Sequence, residues 1–283
     1  MKPVSVRSIV KQKSPGLYPR IPGFLYRMLE RLLHQRELNK GLQLLKDRKG
    51  VDFAQGVVEY LGAKVSTFGE ENLEGLERPI IAANHPLGGL DGVVLISEVG
   101  KIYPNLAVPA NDLLMHLEHL RDTLVPVNKI RTGMPNVSQF QKALNSDKTI
   151  IQFPAGLCSR KRGGIIKDVR WSRSFVIEGR KAQRPIVPTY ISGKNSWFFY
   201  TLARVRKLFG LKFNIEMLFL ADEMFKQKNK DIVLVFGSPI YPEEYATGSS
   251  KFWSREIQRR VYQLSEQPFH KSTIDSFQIK KAQ

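Results

Sequence analysis

Between residues 51 and 240 the chain alternates between two periods of hydrophobicity, and that alternation limits what it can fold into. The runs Pro79–Ala83, Leu106–Pro109, Thr149–Phe153, Pro185–Ile191 and Ile232–Phe236 are continuously apolar or nearly so, and each is too short for a stable helix. Segments with helical spacing, such as Phe53–Leu61 and Gly92–Val99, separate the first of them. A strand that is apolar on both sides must be covered on both sides. The pattern therefore predicts an α/β fold, a sheet flanked by helices, with chemistry gathered where strands end and loops begin.

The 283 residues suit one large domain or a main domain with a helical appendage. Charge divides the chain. Lys and Arg number 44 against 26 Asp and Glu, a net of +18, and residues 1–50 hold 12 basic and 3 acidic residues, a net of +9. Residues 1–50 are thus read as a basic, amphipathic helical segment, 51–267 as the main domain, and the polar stretch 268–283 as a mobile tail. In the first segment Ile21, Phe24, Leu25, Met28, Leu29, Leu32 and Leu33 recur at helical spacing, with Arg27, Arg31 and Arg36 between them. Such a helix either packs on its own domain or lies on a membrane surface.

An excess of this size favours partners that carry negative charge: nucleic acid, an anionic membrane face or an acidic carrier. For nucleic acid the chain offers no stacking-aromatic motif, zinc-ligand spacing or recognition-helix pattern, so none is expected. A single cysteine excludes an intrachain disulfide and a cysteine-based zinc cluster. No stretch approaches the roughly 20 apolar residues of a membrane span, and MKPVSVRSIVKQKSPG lacks the apolar core of a signal peptide. The expectation is a cytoplasmic protein that meets a membrane, if at all, from the side.

Three stretches carry side chains capable of chemistry. In AANHPLGGLDG, residues 82–92, His85 and Asp91 flank a glycine-containing turn at the end of a predicted buried strand, and Pro86 is placed to open the next helix. A carboxylate beside an imidazole fixes its tautomer and stabilises its protonated form, as a general base requires. Taken alone, a His and an Asp in a glycine-rich loop are more often structural than catalytic, since Asp91 could simply cap a helix. The second stretch, residues 150–164, runs from a strand through Phe153, Pro154, Ala155 and Gly156 into Ser159 and the cations Arg160, Lys161 and Arg162. It suits an anionic oxygen, with Arg170, Arg173, Arg180, Lys181 and Arg184 adding charge nearby, or is a solvated basic loop. Cys158, with no histidine close in sequence, reads as a buried inert thiol. The third stretch, Arg184–Ile191, is a strand flanked by prolines. No metal is expected, because His116 and His119 lack matching ligands.

Taken in order, these stretches resemble the glycerolipid and lysophospholipid acyltransferase superfamily. Its motifs match Asn84, His85 and Asp91, then Val125–Arg131, then Phe153–Arg160, then Val187-Pro188, over roughly residues 50–240. The resemblance implies a mixed sheet flanked by helices, with His85 and Asp91 as the catalytic pair. It implies substrate contacts from Lys129, Arg131, Phe153, Pro154, Gly156, Ser159, Arg160, Lys161 and Arg162. Two departures point to a branch: five residues separate His85 from Asp91, and Ala155 stands where glutamate is usual. Both are similar to the bacterial hemolysin-like enzymes that O-acylate lyso-aminolipids such as lyso-ornithine and lyso-glycine lipids.

What the resemblance implies is a peripheral O-acyltransferase on the inner face of the cell membrane, without a cofactor. It would take an acyl group from acyl carrier protein or coenzyme A and pass it to a lyso-lipid hydroxyl. Lysophosphatidate or another lysophospholipid is the alternative acceptor, and a basic nucleic-acid-binding protein the alternative outside the enzymes. The segment Ser196–Phe213, rich in aromatics and cations, is either an interfacial element or a core helix with a basic turn.

Overall fold

A computed structural model describes residues 4–13, 15–16, 18–110, 114–126, 139–210 and 215–266. In chain order the strands are β1 (Lys64–Phe68), β2 (Ile80–Ala83), β3 (Leu106–Ala110), β4 (Leu124–Pro126), β5 (Thr149–Gln152), β6 (Arg160–Arg162), β7 (Ile165–Lys167), β8 (Ile186–Ile191) and β9 (Asp231–Phe236). Seven form one sheet in the order β1-β9-β8-β2-β5-β3-β4, and β6 and β7 form a separate hairpin. The strands from β8 to β4 run parallel, β9 is antiparallel to β8, and β1 is parallel to β9. The sheet is mixed, as expected.

The chain opens on α1 (Val6–Lys13), α2 (Gly23–Leu32) and α3 (Gln35–Leu44). Then come α4 (Gly50–Leu61), α5 (Gly89–Val99), α6 (Gln139–Leu144), α7 (Ser174–Ala182), α8 (Trp197–Leu208), α9 (Leu220–Phe225), α10 (Pro242–Ala246) and α11 (Ser250–Leu264). Strand β2 shows why the apolar runs are continuous. All four of its residues are fully buried. Ile81 and Ala83 join the core that Phe53, Leu90 and Val94 of α4 and α5 complete, while Ile80 and Ala82 face Phe175 of α7 and Ile257 of α11. Each buried isoleucine of this centre contributes roughly 1.5–3 kcal/mol over its exposed state.

Arg184, counted above among cations available to an anion, is not available. It is fully buried and donates to the carbonyl oxygens of Leu144, Arg78, Lys148, Ala143 and Ser146. It thereby satisfies the open end of α6, and burial pulls its pKa down to about 10. Arg180 is similarly engaged, donating to the carbonyls of Tyr245, Thr247 and Gly248. Lys129, Arg131 and the stretch 268–283 lie outside the described residues.

Candidate active site

The site begins where β2 stops. Beyond Ala83 the Asn84 side chain takes over the pairing with β8: its Oδ1 accepts from the Ile191 N–H at 2.6 Å and its Nδ2 donates to the Ile191 carbonyl at 2.9 Å. The main chain is then free to turn, and His85 stands at the strand end. Pro86 does not open the helix as expected. Gly88 intervenes at φ 78°, and α5 begins at Gly89. A side chain at Gly88 would be strained by that φ, and its Cβ would lie 2.9 Å from Leu220 Cδ2 and 3.1 Å from Cys158 Sγ.

Asp91, in the first turn of α5, is completely buried, and its Oδ2 lies 2.8 Å from His85 Nδ1. The same oxygen accepts from the N–H groups of Leu87 and Gly88, each at 2.9 Å. One carboxylate therefore makes both sets of contacts: it caps the helix and faces the imidazole. Burial pushes its pKa up, against the opposing pull of His85 and the two backbone N–H groups. Nδ1 faces the carboxylate, so Nε2 is the ring nitrogen left to meet a substrate proton. Among the described residues Nε2 has no hydrogen-bond partner, and the side chain keeps 18% of its surface exposed. Phe153 stacks on the other face of the ring, with centroids 4.3 Å apart.

A second buried carboxylate, Asp168, stands behind His85. Its Oδ1 accepts from the His85 N–H at 3.2 Å and the Ser159 hydroxyl at 2.6 Å, and its Oδ2 from Trp171 Nε1 at 2.8 Å. The Ser159 N–H in turn donates to the His85 carbonyl at 2.7 Å. Asp168 thus ties the turn after β2 to the turn after β5. Burial raises its pKa too, opposed by the Ser159 and Trp171 hydrogen bonds. Sequence reasoning passed over it, although Asp168 is the one acidic residue between Asp147 and Glu178 in a strongly basic stretch.

The structure sets Phe153 and Ser159 against His85, with Pro154 and Gly156 in the turn between them, but sorts the cations. Gly156 N–H donates to the Phe153 carbonyl at 3.0 Å, closing the turn. Arg160 points inward, donating at 2.9 Å to Glu216, which is fully buried and also lies 3.0 Å from Arg206 Nε. Two guanidinium groups compensate one buried carboxylate, and the start of β6 is anchored to α8. Lys161 and Arg162 remain exposed on the β6–β7 hairpin, whose two-residue turn uses Gly163 and Gly164 at φ 54° and 84°. Cys158 is buried, and desolvation pushes its thiol up to about 12, so it is inert as a nucleophile. His119 is buried away from this site, stacked on Phe53.

A family model described as Acyltransferase matches residues 8–268. This chain belongs to that family. The acyltransferase is 41% identical over 266 residues to the lyso-glycine lipid O-acyltransferase of Bacteroides thetaiotaomicron, spanning 92% of this chain and 97% of that protein. It is equally 41% identical, over 264 residues, to the lyso-glycine lipid O-acyltransferase of Phocaeicola vulgatus, covering 92% of this chain and 95% of the other. Its fold is similar to the crystal structure of the 1-acyl-sn-glycerophosphate acyltransferase PlsC from Thermotoga maritima. That likeness has a TM-score of 0.50 at 18% identity and covers 77% of this chain and 78% of the other. Among the described residues of the acyltransferase, no helix is long and apolar enough to cross a membrane.

Proposed function

We propose that this acyltransferase moves a fatty acyl group from acyl carrier protein or coenzyme A to the hydroxyl of a lyso-aminolipid of the glycine-lipid class. The observation that carries the mechanism is the 2.8 Å contact between His85 Nδ1 and the buried Asp91 Oδ2 on a side chain that keeps part of its surface exposed. Nε2 takes the proton of the acceptor hydroxyl as its oxygen attacks the thioester carbonyl. The tetrahedral intermediate collapses, the C–S bond breaks, and the departing sulfur takes the proton back from Nε2 and leaves as a thiol, which returns His85 to its neutral form. Asp91 stabilises the imidazolium between these steps. No covalent enzyme intermediate is needed.

The acceptor class rests on the two lyso-glycine lipid O-acyltransferases that match nearly the whole chain, and on Ala155 in place of a carboxylate beside Gly156. A glutamate there would repel an acceptor that carries its own carboxylate. The enzyme works from the cytoplasmic side of the cell membrane, which suits its single cysteine and its +18 charge. The test is turnover of purified protein with a thioester donor and, in parallel, lyso-glycine lipid and lysophosphatidate. Lyso-glycine lipid is the expected acceptor, and His85→Ala is expected to lower its turnover about 100-fold to 10,000-fold while the protein stays folded. Acylation of lysophosphatidate alone overturns the acceptor. Near-normal turnover by folded His85→Ala overturns the mechanism.

A further inference from the structure

His85 is held at three points, and only one of them is on its ring. The Asp91 carboxylate faces Nδ1. The main chain is fixed from another direction: the His85 N–H donates to Asp168 Oδ1 at 3.2 Å, and the His85 carbonyl accepts from the Ser159 N–H at 2.7 Å. Ser159 and Asp168 are themselves joined, since the Ser159 hydroxyl donates to the same Oδ1 at 2.6 Å. With 1% of its surface exposed, Ser159 is enclosed by the protein. A main chain fixed at both its N–H and its carbonyl leaves the imidazole only its two side-chain torsions, and the contact at Nδ1 settles those.

This arrangement has a support far along the chain. Tyr262 of α11 accepts from the Asp168 N–H at 2.6 Å, and its hydroxyl also hydrogen-bonds Ser159. The Tyr262 ring meets Tyr190 of β8 with centroids 6.4 Å apart, and Ile257 and Val261 of the same helix are fully buried. Hydrogen bonds linked in this way polarise one another. Three donors face the two oxygens of Asp168, from His85, Ser159 and Trp171, which opposes the effect of burial and favours the charged form. Attraction between the His85 and Asp168 charges acts in the same sense. Among the described residues, the other ionisable groups of the surrounding elements are Asp91 on α5, Cys158 and the Glu216-paired Arg160 at β6, Tyr200 on α8, Glu223 on α9 and Tyr190 on β8.

We propose that Ser159, Asp168 and Tyr262 are positioning residues that set the His85 ring against the acceptor hydroxyl, and that the Asp168 charge joins Asp91 in stabilising the imidazolium. The effect on turnover rests on the acyl-transfer reading above, and the effect on proton uptake by His85 does not. Ser159 and Asp168 are buried, so they act through His85 and not on a substrate. The unit draws one residue from the turn after β5, one from the segment after β7 and one from the last helix, so it exists only in the folded chain.

Two measurements test it. Nitrogen NMR of the substrate-free protein with labelled histidine follows proton uptake by His85, whose signal is the one missing from His85→Ala. In Asp168→Asn that uptake moves to lower pH by about 0.5–1 unit, because an attracting charge is lost. In Tyr262→Phe, which keeps the charge, it does not move. In steady-state kinetics Asp168→Asn, Ser159→Ala and Tyr262→Phe each lower kcat about tenfold and leave KM for donor and acceptor unchanged. Proton uptake that stays in place in folded Asp168→Asn overturns the role of the charge, and unchanged kcat in folded Ser159→Ala and Tyr262→Phe overturns the positioning. A raised acceptor KM in Ser159→Ala with kcat kept also overturns it, and returns Ser159 to the substrate contacts that the resemblance implies. Should Asp168→Asn fail to fold, the other two variants decide the proposal by the same kinetic criterion. Absence of acyl transfer by the wild type to any acceptor removes the proposed function and leaves the NMR result to decide this inference.

Discussion

Asp91 performs two tasks with one oxygen, and a substitution can separate them. Oδ2 faces His85 Nδ1 and accepts from two backbone N–H groups, while Oδ1 has no hydrogen-bond partner among the described residues. In Asp91→Asn the amide oxygen is held at the Oδ2 position, because the Leu87 and Gly88 N–H groups need an acceptor there. The helix cap and the tautomer of His85 survive, and only the negative charge is lost. Where an asparagine flips the tautomer of a catalytic histidine, the loss is about 10,000-fold. Here the expected loss of turnover is smaller, about 100-fold, with the melting temperature retained. Asp91→Ala should lose the cap as well, at a cost of about 1–3 kcal/mol. Unchanged turnover for Asp91→Asn would show that the charge is not used, whereas equally lowered turnover for the two variants would show that the accepting oxygen adds nothing to catalysis beyond the charge.

At the scale of elements the site depends on Asp168, which ties the turns after β2 and β5 to Trp171. Asp168→Ala leaves the His85 N–H, the Ser159 hydroxyl and Trp171 Nε1 without their acceptor. The expected destabilisation is about 3 kcal/mol in urea unfolding. Asp168→Asn keeps one accepting oxygen and removes the burial of charge, which gives a signature in pH. Burial raises the folded pKa above the ordinary 3.8. As pH rises past that value the unfolded chain loses its proton first, so the folded state binds more protons and the wild type loses stability. The stability of the wild type relative to Asp168→Asn should therefore fall as pH climbs from below the ordinary carboxylate range toward neutrality. A difference that is flat or rising over that interval contradicts a raised pKa.

These elements also show what could be read from the chain. Strands β2, β3, β5, β8 and β9 announce themselves because both their faces are buried, and a strand covered on both faces must be apolar throughout. Strand β1 is half-covered and reads Lys-Val-Ser-Thr-Phe, β4 is three residues long, and β6 is built from Arg160, Lys161 and Arg162, so none carries that signal. His85 and Asp91 were legible because one turn brings them together. Asn84 with Ile191, Asp168 with His85, and Arg160 with Glu216 are pairs that only the fold makes.

At the scale of the whole molecule, only part of the positive charge that the sequence counted around the site remains exposed. Arg160, Arg180 and Arg184 are engaged by protein groups, whereas Lys161 and Arg162 project on a hairpin that starts beside Ser159 and hence beside His85. The proposed donors, acyl carrier protein and coenzyme A, are both anionic, and on that reading a cationic hairpin next to His85 would raise the local concentration of either without touching the chemistry. Lys161→Glu with Arg162→Glu should then raise KM for the donor and leave kcat and the acceptor KM nearly unchanged. The effect should shrink as ionic strength rises, because exposed charges are screened over about 10 Å at 0.1 M salt. A drop in kcat would instead assign the two cations to the transition state, and a selective rise in the acceptor KM would assign them to the lyso-lipid headgroup. Steady-state kinetics of the wild type and the double variant, with donor and acceptor varied in turn at low and high salt, separate the three outcomes.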